Sequence, residues 1–375
     1  MVIALRVSES AARSRVVLEL SDPVDPRVFT LANPNRVVID MPEVLWRIGD
    51  APHPAGKGLV KDYRYGLFRK GNSRFVIDLN SPVRVAVPQL LPPGGGTGFR
   101  LVIDLAPTTS AEFLAHAGWP RAPATAAQAA PTAPGVRKDA RPLIVVDAGH
   151  GGLDPGTHGE SGIPEKDIAL SVAKELRKAL LETGHYRVQL TRDSDVFIPL
   201  SERVNMARAA HGDLFVSLHA DSNEHREIRG ASVYTLSEGA SDREAEDLAE
   251  KENMSDATAG ADLAGENDLV ASILKDLVRR ETIDRSERFA ETVLETIPAA
   301  TMVRSSSPHR AARFAVLKAP DVPAALIELG YLSNPKDESE MTTEAWRRRV
   351  ARAIASAIDR HFAREAGLEM RAAVN

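Results

Sequence analysis

Four residues in the C-terminal half carry side chains that could perform hydrolysis together. His150 follows an apolar run in Asp147-Ala148-Gly149-His150-Gly151-Gly152. His219 follows another in Ser217-Leu218-His219-Ala220-Asp221. Glu165 comes directly after Pro164, a residue suited to a first helical turn, and Glu328 sits within Ala325-Leu326-Ile327-Glu328-Leu329-Gly330. His150, Glu165 and His219 are candidate metal ligands. Two imidazoles and one carboxylate leave a fourth position open on a tetrahedral zinc, which is the pattern of catalytic sites. Zinc so held lowers the pKa of its water to about 7 and polarises a carbonyl. A nearby carboxylate can take the water's proton and pass it to a leaving amine. Glu328 is the candidate for that role, because its apolar neighbours argue against simple solvent exposure, and a buried carboxyl needs a partner or a raised pKa. His158 and His309, both expected in polar loops, are competing ligands. A lone histidine after a strand is more often a hydrogen-bonded structural residue. Residue pattern by itself therefore leaves both a metal site and a set of structural histidines open.

Residues so far apart in sequence can converge only on a scaffold that gathers strand ends. Strand signals at Leu143–Asp147, Tyr186–Leu190, Leu214–Leu218, Ala231–Leu236 and Ala324–Leu329 alternate with helical periodicity at Glu165–Thr183, Leu200–Ala210, Ser286–Ile297 and Glu344–Phe362. Such alternation predicts an α/β domain with a mostly parallel sheet flanked by helices. Ligands of open α/β sheets bind beyond the carboxyl ends of the strands, where His150, His219 and Glu328 fall. One stretch breaks the rhythm. Residues 238–284 hold many acids, no strand and two expected helices, Asp242–Asn253 and Asn267–Arg280, and an insert of that length is usually a functional element or a disordered arm.

The other half reads differently. Arg36-Val37-Val38-Ile39-Asp40, Arg74-Phe75-Val76-Ile77-Asp78 and Arg100-Leu101-Val102-Ile103-Asp104 share one pattern, and Val16–Leu20 and Pro82–Val87 add further strand candidates. No convincing amphipathic helix precedes residue 108, so residues 1–107 are expected to form an all-β, sandwich-like domain. Residues 108–140, rich in Ala and Pro, are expected to be a linker, and residues 141–375 the catalytic domain.

Composition bounds the rest. The 375 residues suit two domains. With no cysteine, any metal must be held by His, Asp or Glu. A formal charge of -5 provides no bulk attraction to nucleic acid, aromatics are only 5%, and Arg347-Arg348-Arg349 reads as a solvated helix face. No run reaches the roughly 20 apolar residues of a membrane helix. The start reads as a strand and lacks the features of a signal peptide.

Residues 141–365 resemble the zinc-dependent N-acetylmuramoyl-L-alanine amidases of bacterial cell division. The resemblance rests on Val145–Gly152, the Glu165 helix start, Leu190-Thr191-Arg192, Phe215–Ser222 and Ala325–Asn334, in the expected order. It implies that His150, Glu165 and His219 hold one zinc ion, that Glu328 is the catalytic carboxylate, and that the bond cut joins N-acetylmuramic acid to the L-alanine of the peptidoglycan stem. Asp221 stands where the family often has Asn, a departure expected to touch only substrate contacts. Residues 1–107 resemble the AMIN domain, associated with wall or septum targeting. By the same resemblance, residues 238–284 are a regulatory insert whose Glu252 can fill the open zinc position. The face of Leu269, Ile273, Leu274 and Leu277 is the expected docking surface for an activator of the LytM type. The resemblance further implies a periplasmic, monomeric enzyme of daughter-cell separation whose signal peptide is absent from this chain. Three other readings are a carboxypeptidase acting on the stem, a binding module that has lost its chemistry, and a septal structural protein using only the β-domain. Product masses separate the first from an amidase and zinc stoichiometry the second; the third leaves the C-terminal constellation unexplained.

Overall fold

Alternating apolar and polar residues place one side of most N-terminal strands in a shared core. In the computed structural model, which describes residues 1–9, 13–48, 58–69, 71–118, 139–260 and 273–374, the strands are β1 (Val2–Glu9), β2 (Ser14–Leu20), β3 (Arg27–Leu31), β4 (Arg36–Pro42), β5 (Val60–Arg69), β6 (Asn72–Leu79), β7 (Val83–Val85), β8 (Gln89–Leu91) and β9 (Phe99–Pro107). They form two antiparallel sheets, one in the order β1-β2-β9-β7 with β8 also on β9, the other β3-β4-β6-β5. Val16, Leu18, Leu101 and Ile103 from the first sheet and Val37, Ile39, Phe75 and Ile77 from the second meet in one core. That is the expected sandwich. The recurring Arg-to-Asp segments acquire a physical reason here. β4 and β6 run antiparallel with Arg36 opposite Asp78 and Asp40 opposite Arg74, so each segment's cation faces the other's acid. The third segment lies on β9 in the other sheet, where Asp104 pairs with Arg15 of β2.

The expected linker starts too early. Helix α1 (Ser110–His116) is capped by Thr109, whose hydroxyl accepts from the Glu112 N–H, and its Phe113 is buried in the β-domain core. Phe113 is the buried anchor of this helix. Residues 119–138 lie outside the described ones.

The second region builds β10 (Leu143–Ala148), α2 (Glu165–Thr183), β11 (Arg187–Leu190), α3 (Leu200–Ala209), β12 (Leu214–His219), β13 (Ser232–Leu236), α4 (Arg243–Asn253), α5 (Ser255–Thr258), α6 (Ile273–Thr296), β14 (His309–Ala312), β15 (Ala324–Glu328), α7 (Pro335–Met341) and α8 (Glu344–Val374). The sheet order is β11-β10-β12-β15-β13-β14, parallel throughout except between β13 and β15. Apolar side chains of β10 alternate between two cores. Ile144 and Val146 pack with residues of α2, α6 and α8, whereas Leu143 and Val145 pack with residues of α3 and α4. This matches the expected α/β domain.

Three local expectations change. Asn267–Arg280 and Ser286–Ile297 are not two helices from residue 273 onward, because α6 runs unbroken from Ile273 to Thr296; no Gly or Pro interrupts that span. The insert's expected end at 284 therefore falls inside a helix. His309 lies on β14 and not in a loop, an edge strand too short and polar to signal itself. Helix α7 begins at Pro335, with the Asn334 side chain accepting from the Lys336 and Asp337 N–H groups.

By packing, Met1–Gln128 with Ala257–Leu263 form one compact unit, and Ala129–Asp256 with Ala264–Asn375 the other. Among the described residues, no helix is long and apolar enough to cross a membrane.

Candidate metal centre and active site

Strand β10 delivers His150 through a turn that only certain residues can make. A Cβ on Gly149 would lie 2.4 Å from the His219 ring, so the two imidazoles can approach only across a glycine. His150 itself adopts a positive φ of 59°, an uncommon conformation that its surroundings must enforce. Two buried arginines do so. Arg203 of α3 donates to the His150 carbonyl at 2.7 Å and the Ala148 carbonyl at 2.8 Å, and Arg192 donates to the Ala148 carbonyl at 2.9 Å and the Gly149 carbonyl at 2.8 Å. Asp147 balances Arg203 at 2.9 Å and accepts from Thr191 and Ser217. The Thr191-Arg192 segment, one of the motifs that carry the family resemblance, thus shapes the backbone of the His150 turn.

The other groups arrive from separate elements. β12 ends on His219, β15 ends on Glu328, and these two residues are directly paired in the parallel register. Glu165 opens α2, with its Oε1 accepting from the Ala220 N–H at 2.9 Å and its Oε2 from the Thr157 N–H at 3.1 Å. Glu252 comes from α4. Ligand atoms of His150, Glu165, His219 and Glu252 all lie within 4.8 Å of one another, and all four residues are buried. His150 Nε2 is 3.1 Å from Glu165 Oε1 and 3.4 Å from Glu252 Oε2, while His219 Nδ1 is 3.1 Å from each of the same oxygens. His150 Nε2 and Glu252 Oε1 nonetheless have no hydrogen-bond partner. Two ring nitrogens and two carboxylates aimed at one point, with polar atoms left unsatisfied, suit a divalent cation.

Electrostatics agree. Burial works against charge on the His150 ring, but Asp154, Glu165 and Glu252 overcome it and raise its pKa well above the ordinary value. His219 behaves likewise: burial opposes its charge, Glu252 and Glu165 prevail, and it is pushed up to about 10. Burial would also push the Glu165 carboxyl up, yet the neighbouring His150 and His219 hold it well below the carboxylate range. A field that favours protons on both rings equally favours a bound cation.

Asp154 was missed by sequence reasoning. Its Oδ2 lies 2.8 Å from His150 Nδ1 and also accepts from the Ser255 hydroxyl, so it fixes the ring's orientation from behind. The signal available was an acid four residues after His150 in the glycine-rich turn. His158 is exposed and His309 sits 3.2 Å from the Thr235 hydroxyl; neither joins the cluster.

Glu328 stands beside the cluster. Its Oε2 accepts from the Asp221 N–H at 3.0 Å, and its buried Oε1 has no partner. Burial, with Asp221, Glu165 and Glu252 adding to it against His219, raises its carboxyl well above the ordinary value. A carboxyl raised in this way holds its proton more readily than an exposed one.

Helix α4 closes the site. Asp242 caps it, and Ala245, Leu248 and Ala249 pack with Tyr234, Phe314 and Val316. Glu244 in its first turn pairs with Arg304 at 2.8 Å and Arg310 at 3.0 Å. At its other end the Asn253 side chain accepts from the Ala315 N–H at 2.7 Å. Lys251 pairs with Asp221, whose carboxyl burial pushes up to about 6 against the pull of Lys251. The departure at Asp221, expected to affect only substrate contacts, thus supplies an ion partner for α4. A small cavity of about 10 Å³ remains beside His150, His219, Arg203, Glu252 and Ser255. A separate groove of about 480 Å³ runs alongside, lined by Asp221, Asn223, Tyr234, Leu248, Lys251 and Tyr331.

Of the expected activator-docking face, Leu269 lies outside the described residues. Ile273, Leu274 and Leu277 lie on α6, with their side chains outside the description.

Comparison with known proteins follows the same lines. Residues 144–360 match the family model described as N-acetylmuramoyl-L-alanine amidase, and residues 4–105 match the AMIN domain model. The chain is 34% identical to the N-acetylmuramoyl-L-alanine amidase AmiC of Escherichia coli O6:H1, over 99% of this chain and 91% of the relative. It is 35% identical to AmiC of Neisseria meningitidis serogroup B, over 96% and 89%. Against AmiA of Escherichia coli K12 the identity is 39%, over 59% of this chain and 76% of that protein.

Proposed function

The chain belongs to the N-acetylmuramoyl-L-alanine amidases, in the branch that carries an AMIN domain, and on that premise we propose that it hydrolyses the amide between N-acetylmuramic acid and the L-alanine of the peptidoglycan stem and is held inactive by its own α4. The observation that carries this reading is the buried cluster of His150, Glu165, His219 and Glu252, two donors from strand ends, one from the start of α2 and one from the insert. His150, Glu165 and His219 would hold one zinc ion, and Glu252 occupies the position substrate and water need. Zinc, when bound, supplies a Lewis acid that polarises the scissile carbonyl and acidifies a water.

This chain's residues do the rest. Asp154 and the Ala220 N–H orient His150 and Glu165. Glu328, beside His219 in the register, takes the attacking water's proton and delivers it to the departing L-alanine nitrogen. The groove lined by Asn223, Tyr234 and Tyr331 would seat the substrate once Leu248 and Lys251 of α4 withdraw. Withdrawal is the task of a protein activator, by family resemblance of the LytM type, and the sequence segment holding Leu269, Ile273, Leu274 and Leu277 is the one we assign to it. A periplasmic location and a role in daughter-cell separation belong to the same reading, as does wall targeting by the β-domain.

The test is the chemical identity of the soluble products. Digestion of purified peptidoglycan, analysed by mass spectrometry, is expected to yield intact stem peptides with a free L-alanine amine and glycan strands lacking stems. Shortened stems still attached to glycan would indicate a carboxypeptidase and overturn the assignment.

A further inference from the structure

The outer face of the β3-β4-β6-β5 sheet is unexpectedly dry. An antiparallel sheet packed on its core with one face commonly leaves the other solvated. Here Val38 and Val76, which point away from that core, are both 0% exposed, and the arginines beside them, Arg36 and Arg74, are 1% and 0% exposed. What covers them within the same compact unit is a piece of the insert, Ala257–Gly260.

The cover is specific in chemistry. Arg36 donates to the Ala257 carbonyl, Arg64 to the Thr258 carbonyl, and Arg74 to the Ala259 and Gly260 carbonyls at 3.3 Å and 2.6 Å. Four successive carbonyls are therefore read by three arginines. Two of the arginines are oriented by acids on neighbouring strands. Arg74 pairs with Asp40 through two contacts at 2.6 Å and 2.8 Å, and Arg64 pairs with Asp78. The Arg74 guanidinium also lies 3.5 Å from the centroid of the Phe68 ring, so it cannot swing away freely. The segment suits this frame because it lacks bulk. Ala257 and Ala259 are 1% and 0% exposed, and Gly260 has a positive φ of 65°, with a hypothetical Cβ 3.2 Å from Val38 and 3.3 Å from Val76. A larger residue at Gly260 meets both strain and the sheet.

We infer that the arginine-framed face of β3-β4-β6-β5 is the receptor for Ala257–Gly260, and that this grip acts as a latch keeping Glu252 seated in the amidase site. The inference rests on the autoinhibited reading above. Five positions separate Glu252 from Ala257, so holding the segment confines the end of α4 and keeps the effective concentration of Glu252 at the site high. Ser255 and Asp256, between the two, are themselves tied down, to Asp154 and to the Leu200 N–H at 2.9 Å. The β-domain thereby restrains the enzyme through the insert, in addition to any wall-targeting role.

The test uses the full chain and variants on the insert side, which leave the sandwich core untouched. Hydrogen exchange of residues 255–260 and release of fragments from dye-labelled peptidoglycan are measured for the parent, Gly260→Val, Ala259→Glu and Glu252→Ala. Slow exchange is expected in the parent. Either latch variant should speed exchange of 255–260 at least tenfold, leave β4 and β6 protected, and raise basal release at least threefold. The latch is overturned if residues 255–260 of the parent exchange as fast as an unstructured peptide. It is equally overturned if Gly260→Val and Ala259→Glu free the segment while release stays at the parental level and Glu252→Ala raises it. If Glu252→Ala itself does not raise release, the plug reading fails, and protection of 255–260 alone then decides the docking.

Discussion

Glu328→Gln is expected to lower amide hydrolysis by about 10²–10⁴-fold, the usual contribution of a positioned acid–base group, while leaving metal content unchanged. At 1.36 kcal/mol per decade, that is roughly 3–5 kcal/mol of barrier. The amide side chain keeps the shape and can still accept from the Asp221 N–H, as the carboxylate does at 3.0 Å. What it loses is the capacity to carry a proton from water to the leaving nitrogen. Glu328 is fully buried at the end of β15, paired in register with His219 and not among the four clustered donors. Metal retention therefore separates a proton-transfer role from a ligand role. A variant that loses both metal and activity would place Glu328 among the ligands; one that keeps near-parental activity would remove it from the chemistry.

Glu252→Ala is expected to act in the opposite direction and raise basal hydrolysis by about tenfold or more. A tenfold gain corresponds to about 1.4 kcal/mol in the closed–open equilibrium. Glu252 is 4% exposed and its Oε2 lies 3.1 Å from His219 Nδ1 and 3.4 Å from His150 Nε2, so on the proposed self-covered reading activity of the intact chain comes from molecules in which α4 has withdrawn. Removing one carboxylate deletes its approach to both histidines. It does not delete the Glu244 pairs with Arg304 and Arg310, the Asp221–Lys251 pair, or the Asn253 contact with the Ala315 N–H. The gain is accordingly bounded, and an activator that lifts the whole helix should still stimulate the variant. The readout is initial rate of dye release without and with activator. Basal activity at or below the parental rate, with metal retained, would mean that Glu252 does not occupy the site in solution.

Part of the site was legible in the sequence, because several of its residues mark themselves locally. His219 and Glu328 close apolar runs that are buried along their whole length as β12 and β15, and a polar residue at such a position has nowhere to go but the sheet's carboxyl edge. Glu165 follows Pro164 at a helix start, and α2 spans the predicted residues. Glu252 was placed by resemblance, and its row of contacts then explained why an acidic helix should be buried at that point. What stayed hidden depends on partners far apart in the chain. Nothing near Arg203 indicates that it donates to the His150 carbonyl, and nothing near Lys251 points to Asp221. The recurring Arg-to-Asp segments of the β-domain were visible as a pattern, but their use required the antiparallel register of β4 and β6 and a segment some 185 residues downstream. Helix α1 was obscured by the Ala- and Pro-rich stretch that follows it, since it buries a single residue, Phe113.

Whether the buried cluster is the proposed one-zinc centre on His150, Glu165 and His219 is decided by native mass spectrometry of the zinc-equilibrated full chain. The expected result is one zinc per parent chain, one in Glu328→Gln, and none in the His150→Ala/His219→Ala double variant with its fold retained by circular dichroism. A parent chain that takes up no ion, or a double variant that keeps it, would overturn the zinc assignment.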